Sequence, residues 1–393
     1  MNNNYKRSCF YFCLISLIKF ISSCSSDKLT NIPIINPETL IEKNIPLSEI
    51  IIDVKYIPLS NDILFNDIVS IELTESHIFI YPANGGLLAY DIEENLIRSI
   101  GKKGKGPGEY IFGYRFTLDR QTEKIFILDK EKILKYTFKG RYLGHISLEE
   151  FKENNFSWVI FSNDRLYLYE GINFGYGKYN WVVLDTIGNI LFEKQNSVGQ
   201  FSSAHSCTGS KQETFNNTLY YWNQINDTIF LINEKGYTAA FLFAQGEYRF
   251  PKQPVKAIST EYFYPRKILF TKDYLFFSIN YQFQNCTGLY YISEQQFYVI
   301  SKTDDLSFPL GPGINNNFDG GLPFIPLSYF SNNANEEFLI GKLDPFELKA
   351  HVASNDFKKA TPKNPEKKKE LEQLANRLNE NDNLVLMIVK LKD

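Results

Sequence analysis

Four histidines stand at positions 77, 145, 205 and 351, and none belongs to a His-x-His or His-Glu-x-x-His pattern. Zinc and its neighbours need convergent nitrogen or sulfur ligands, so the sequence predicts no metal centre and no cofactor. His205 and Cys207 share one loop, but a nucleophilic thiol requires the imidazole within hydrogen-bond reach, and spacing alone does not supply that. Carboxylate pairs such as Asp129/Glu131 and Asp304/Asp305 do acid–base work only when they face one cleft about 5–9 Å apart. Asp129 and Glu131 sit beside Lys130 and Lys132, which reads as a solvated, salt-bridged turn. Gly104-Lys105-Gly106-Pro107-Gly108 has neither P-loop nor Rossmann spacing, and no helix follows to hold a phosphate. It reads as a structural turn between sheets. No catalytic residue emerges.

The N-terminus carries a different kind of chemistry. Lys6 and Arg7 precede the mostly apolar run Cys9–Ile18, which is short of the roughly 20 residues that span a bilayer. Ile21-Ser22-Ser23-Cys24 follows and resembles a bacterial lipobox, whose cysteine becomes the lipidated first residue. Residues 1–23 are therefore expected to be a lipoprotein signal peptide, Cys24 the lipid attachment site, and residues 24–44 a flexible tether. The expected address is the envelope of a Gram-negative bacterium, as an outer-membrane lipoprotein. Removing three positive charges moves the net charge from -3 to about -6. Cys207 and Cys286 are then the remaining thiols, and an oxidising compartment permits one bridge if their Cα separation allows it.

The elements that position any site are strands. The chain has 393 residues, 44% hydrophobic and 22% charged, which excludes wholesale disorder. Aromatic residues make up 16% and favour strands. Near-neutral charge excludes a global phosphate-attracting field and hence nucleic acid as a partner. Short apolar runs recur at Ile78-Phe79-Ile80, Ile125-Phe126-Ile127, Leu166-Tyr167-Leu168, Leu219-Tyr220-Tyr221, Leu275-Phe276-Phe277 and Phe338-Leu339-Ile340. Their interval of roughly 40–60 residues fits a four-stranded propeller blade with its loops. Each run is flanked by further strands separated by polar turns. Six runs predict an all-β, six-bladed β-propeller of four-stranded antiparallel blades over residues 45–393.

A ring needs its ends locked, because open sheets expose raw edges. Ile50–Ile57 and Asn383–Leu391 are expected to share the last blade. One peripheral C-terminal helix is predicted at Pro365–Glu380, with Leu371, Leu374, Ala375 and Leu378 as its apolar stripe and Lys367–Lys369 on its solvated face.

Three segments carry a family resemblance: Gly101–Tyr110, Asn226–Ile232 and Asn381–Ile388. On them, residues 45–393 resemble the six-bladed β-propeller lipoproteins of unknown function from Gram-negative bacteria, related in architecture to NHL-repeat propellers. The resemblance implies the fold and the lipid anchor and implies no catalytic residue.

Connections after the second and fourth strands of each blade fall on one face of a ring. Here they include the long segments Gly101–Gly113, Glu170–Tyr179, Gln195–Glu213, Gln245–Glu261, Tyr281–Gly288 and Lys302–Leu322. Long loops on a rigid scaffold usually carry function. Tyr176, Tyr179, His205, Tyr281 and Phe283 are the candidate ligand-binding residues, and packing of the aromatics onto the ring is the competing role. The sequence thus points to a monomeric, non-enzymatic, lipid-anchored module that binds a carbohydrate, a peptide or an envelope protein. The alternative is a propeller hydrolase or lyase using carboxylates in the central channel.

Overall fold

Each of the six recurrent runs is the second strand of a four-stranded antiparallel meander. The structure, a computed structural model, describes residues 32–92, 96–154, 156–170, 177–196, 209–214, 218–223, 227–233, 236–248, 261–305, 307 and 310–392. Blade 1 comprises Ile68–Leu73, His77–Pro82, Leu88–Asp91 and Leu96–Ser99. Blade 2 comprises Phe116–Asp119, Lys124–Asp129, Lys132–Thr137 and Tyr142–Ser147. Blade 3 comprises Phe156–Ser162, Arg165–Glu170, Tyr179–Asp185 and Ile190–Gln195. Blade 4 comprises Gly209–Thr214, Thr218–Asn223, Thr228–Asn233 and Gly236–Phe243. Blade 5 comprises Tyr264–Phe270, Tyr274–Tyr281, Gln284–Tyr291 and Gln296–Thr303.

Blade 6 closes the ring. Ser328–Ser331 and Glu337–Leu343 pair with the C-terminal strand Val385–Leu391, which pairs in turn with Ile51–Pro58 from the start of the chain. The register runs antiparallel, with Ile388 opposite Lys55 and Lys390 opposite Asp53. The last blade therefore cannot form unless both ends of the chain meet.

Period-two alternation explains why the blades stack. Ile78 and Ile80 face blade 6 and pack with Phe330, Ile340 and Leu386. Phe79 and Tyr81, one step along the same strand, face blade 2 and pack with Ile125, Ile127 and Leu134. The described residues form six such clusters, one between each pair of neighbouring blades. Burying each large side chain contributes about 1.5–3 kcal/mol, and no blade can do so alone.

Three features depart from expectation. Ile34–Ile35 adds a parallel fifth strand to blade 4, and Ile41–Glu42 adds one to blade 5. The segment expected to be a tether through residue 44 is thus, from Ile34, part of the sheets. The predicted helix spans Pro365–Arg377, capped by Asn364, with Leu371, Leu374 and Ala375 buried. Three more α-helices precede it among the described residues, the single turn Leu47–Ile50, Pro345–Ala353 capped by Asp344, and Asn355–Lys359 capped by Ser354. Finally, the lysine face is engaged rather than simply solvated. Lys367 pairs with Asp53 at 3.2 Å, Lys368 donates to the Ala360 carbonyl at 2.7 Å, and Lys369 pairs with Glu366 at 3.0 Å.

Candidate functional site

Connections after the fourth strand lead into the innermost strand of the next blade. Three inner strands begin with a bulge, at Val69, Ser157 and Arg266. A bulge bends the strand and re-aims its side chains.

On the loop face the segment from Ile100 to Arg115 joins blade 1 to blade 2 and is held almost entirely by buried polar anchors. Tyr110 is fully buried; its hydroxyl donates to the Ile100 carbonyl at 2.9 Å and accepts the Leu87 amide at 2.8 Å. Burial pushes that phenol up to about 12. The Glu109 carboxylate accepts the Gly106 amide at 2.8 Å, and Tyr136 donates to the Gly108 carbonyl. Lys102–Lys103 pairs in parallel with Glu109–Tyr110. The glycine-rich run is thus the structural turn expected. Gly108 sits at φ +70°, where a side chain would be strained.

Asp129 corrects its expected role. It is 3% exposed, not solvated, and its Oδ1 accepts the amides of Ile111 at 3.0 Å and Phe112 at 3.1 Å. Gly113 follows, and a Cβ there would stand 2.5 Å from the Tyr110 ring and 2.7 Å from the Tyr81 ring. Only glycine lets the chain pass that closely. Ser70 then donates to the Tyr114 carbonyl at 2.9 Å.

These anchors set out a row of rings. Tyr81 meets Tyr114 edge-on at 5.9 Å, Phe112 meets Tyr114 at 6.1 Å, and Tyr114 meets Trp158 of blade 3 at 6.4 Å. Phe112 is exposed, and Tyr114 and Trp158 are half-buried. The Arg115 guanidinium lies 5.1 Å from the Tyr114 centroid and 5.8 Å from that of Phe112. Its Nη1 donates to the Phe156 carbonyl at 3.0 Å, and its buried Nε has no partner. Lys103 lies over Tyr81 at 5.6 Å. The result is an aromatic shelf with a cation set into it. Such a shelf stacks on ring faces and attracts negative charge.

Of the residues expected to bind, Tyr179, Tyr281 and Phe283 are described and lie outside this shelf. Tyr179 is 8% exposed and packs against Phe151 at 6.1 Å in the core between blades 2 and 3. Tyr281 and Phe283 do not occupy a long loop. Gln282 and Phe283 form a two-residue hairpin turn with φ of 49° and 65°. The Tyr281 hydroxyl donates to the Pro37 carbonyl at 3.0 Å, and its ring meets Tyr248 at 5.4 Å. Phe283 stands 62% exposed at the tip. Cys24, Tyr176, His205 and Cys207 lie outside the described residues. Cys286 is 2% exposed in the cluster between blades 4 and 5, and burial pushes its thiol up to about 12.

Catalytic constellations are not assembled among the described residues. On the inner strands, Glu72 pairs with Arg120 at 3.2 Å, and Asp119 accepts the turn amides of Gln121 and Thr122. Asp304 accepts from Gln284 at 2.8 Å, and Asp305 from the Ser307 amide at 2.8 Å. His77 contacts Ser76 and Asp91, His145 contacts Tyr142, and His351 contacts the Gly320 carbonyl. No group of three or more His, Cys, Asp or Glu among the described residues could hold a metal ion.

The shelf was present in the sequence as Phe112, Tyr114 and Trp158, but nothing in their spacing joins a loop to the next-but-one blade. The one available signal was Gly113 between two aromatics in a long connection.

With this geometry in place, comparison with known proteins gives a family and a fold. Residues 30–390 match the model of a family described as "Domain of unknown function (DUF4934)", and the chain belongs to that family. No curated protein matches it. A crystal structure of a "Putative exported protein" from Bacteroides fragilis NCTC 9343 is similar over 92% of this chain and 100% of that one, with TM-score 0.66 and 18% identity. A member of the DUF4221 family from Bacteroides vulgatus ATCC 8482 is similar over 87% of this chain and 97% of that one, with TM-score 0.49 and 11% identity.

Proposed function

We propose that this member of the family is a non-enzymatic binding module of the cell envelope, which presents its loop face to a carbohydrate. One observation carries this reading: Phe112, Tyr114 and Trp158 are exposed or half-buried, yet Asp129 holds the Phe112 amide, Ser70 holds the Tyr114 carbonyl, and Trp158 sits in a strand paired with Tyr169. Rings that only sealed the core would be covered. Pre-organised rings lose little freedom on binding, which favours affinity. Flat aromatic surface suits the faces of sugar rings. Against the alternative of a channel hydrolase or lyase, the inner-strand carboxylates Glu72 and Asp119 are engaged by Arg120 and by turn amides.

Export and lipidation at Cys24 are part of the same proposal, supported by the N-terminal sequence and by the exported description of the Bacteroides fragilis relative. Its address would be the outer membrane of a Gram-negative cell, and the protein would act as a monomer. Replacing Cys24 by Ala should move the protein from the membrane to the soluble fraction; unchanged fractionation would refute the anchor. A panel of purified polysaccharides tests the binding role, using the full chain and its Phe112→Ala/Trp158→Ala double variant. Binding that the double variant loses is expected. Equal binding by both proteins would remove the shelf from the account.

A further inference from the structure

The Arg115 charge has no counter-ion among the described residues. Its guanidinium is half-buried between two rings, bonded to one backbone carbonyl, and paired with no carboxylate among the described residues. A partly desolvated charge without an opposite partner is unfavourable. The neighbouring cations compound this. Lys102, Lys103 and Lys105 are exposed along the same segment, and none of them forms an ion pair among the described residues.

The acidic groups nearby are already committed to backbone. Asp129 is buried beneath two amides and 4.0 Å from Lys132, and Glu109 holds the Gly106 amide. Lys103 and Arg115 are thus the charges set directly against the rings of the shelf, although the whole chain is negative, at -3.

We infer that the ligand of the shelf is an acidic polysaccharide, one whose sugar rings carry carboxylates. This rests on the carbohydrate reading above and adds the charge. Sugar faces stack on Phe112, Tyr114 and Trp158, and the carboxylates supply the opposite charge that Arg115 and Lys103 lack.

The test titrates the full chain with polygalacturonate, with fully methyl-esterified polygalacturonate and with polyglutamate, at low and high salt. Polygalacturonate should bind about tenfold or more tightly than the ester, and added salt should weaken it. Lys103→Gln should weaken it about threefold or more without changing the melting temperature, because the Lys103 side chain is exposed. Arg115→Gln should weaken it further, with melting recorded beside it because Arg115 also holds the Phe156 carbonyl. Equal binding of acid and ester, both lost in Phe112→Ala/Trp158→Ala, would overturn the acidic ligand and leave the carbohydrate role standing. Polyglutamate binding as tightly as polygalacturonate would overturn the sugar. Binding of none of the three would overturn both.

Discussion

The Asp129 carboxylate accepts the Phe112 amide at 3.1 Å, and through that bond blade 2 fixes a ring that opens onto solvent. The same oxygen takes the Ile111 amide at 3.0 Å. The acid thus has no free role in chemistry; it positions the shelf.

Asp129→Ala leaves those two amides without their acceptor. Unpaired buried donors cost about 1–3 kcal/mol each, so the melting temperature should fall by several degrees. Asp129→Asn keeps one carbonyl oxygen and should recover part of the loss. Thermal melting of the three proteins checks this. An alanine variant that melts like the wild type would show that the loop is held by other contacts.

Ring closure rests on Val385–Leu391, the strand between Glu337–Leu343 and Ile51–Pro58. Its apolar residues reach the interfaces on both sides of blade 6, Val385, Met387 and Val389 toward blade 5 and Leu386 toward blade 1. A chain ending at Asp382 should lose cooperative unfolding altogether. Urea denaturation followed by tryptophan fluorescence reads this directly, and an unchanged midpoint would contradict the closure.

Asp319 predicts a specific pH dependence. It is fully buried, with its carboxylate accepting from Tyr56 at 2.6 Å, Asn316 at 2.7 Å and the Gly321 amide at 2.9 Å. Burial raises it above its ordinary 3.8 even though those bonds pull the other way. The folded protein therefore holds this proton to a higher pH than the unfolded chain does. As pH rises from 3.8 towards the folded value, the unfolded chain releases its proton first, and the wild type loses stability relative to Asp319→Asn. Above the folded value the difference becomes constant. Denaturant midpoints of both proteins across that interval measure it; a difference that is flat or grows in favour of the wild type would refute the assignment.

The fold was legible because a second strand buried on both faces, such as Ile78-Phe79-Ile80, reads as an unbroken apolar run whatever surrounds it. The closing pair was legible for the same reason. Ile34–Ile35 and Ile41–Glu42 were not, because two residues carry no periodicity and their partners Leu242 and Tyr298 lie more than 200 residues away. The helix Pro345–Ala353 was hidden by weak amphipathicity, with only its cap Asp344 and Pro345 as markers. Loop length placed Tyr281 and Phe283 on a long loop where the chain makes a tight turn. Tyr281 lies at the end of a strand that runs up to a tight turn, so its hydroxyl reaches the Pro37 carbonyl and its ring packs on Tyr248 and Phe263. Phe112 and Trp158 are brought together by Tyr114, Arg115 and the stacking of blades 1 to 3, which no local pattern records.

Hydroxyl-radical footprinting of the full chain, with and without polygalacturonate, addresses the central claim most directly. Protection should appear at Phe112, Tyr114 and Trp158, while Phe283, exposed on the same face at blade 5, keeps its reactivity. Protection at Phe283 with Phe112, Tyr114 and Trp158 unchanged would contradict the shelf as the working site.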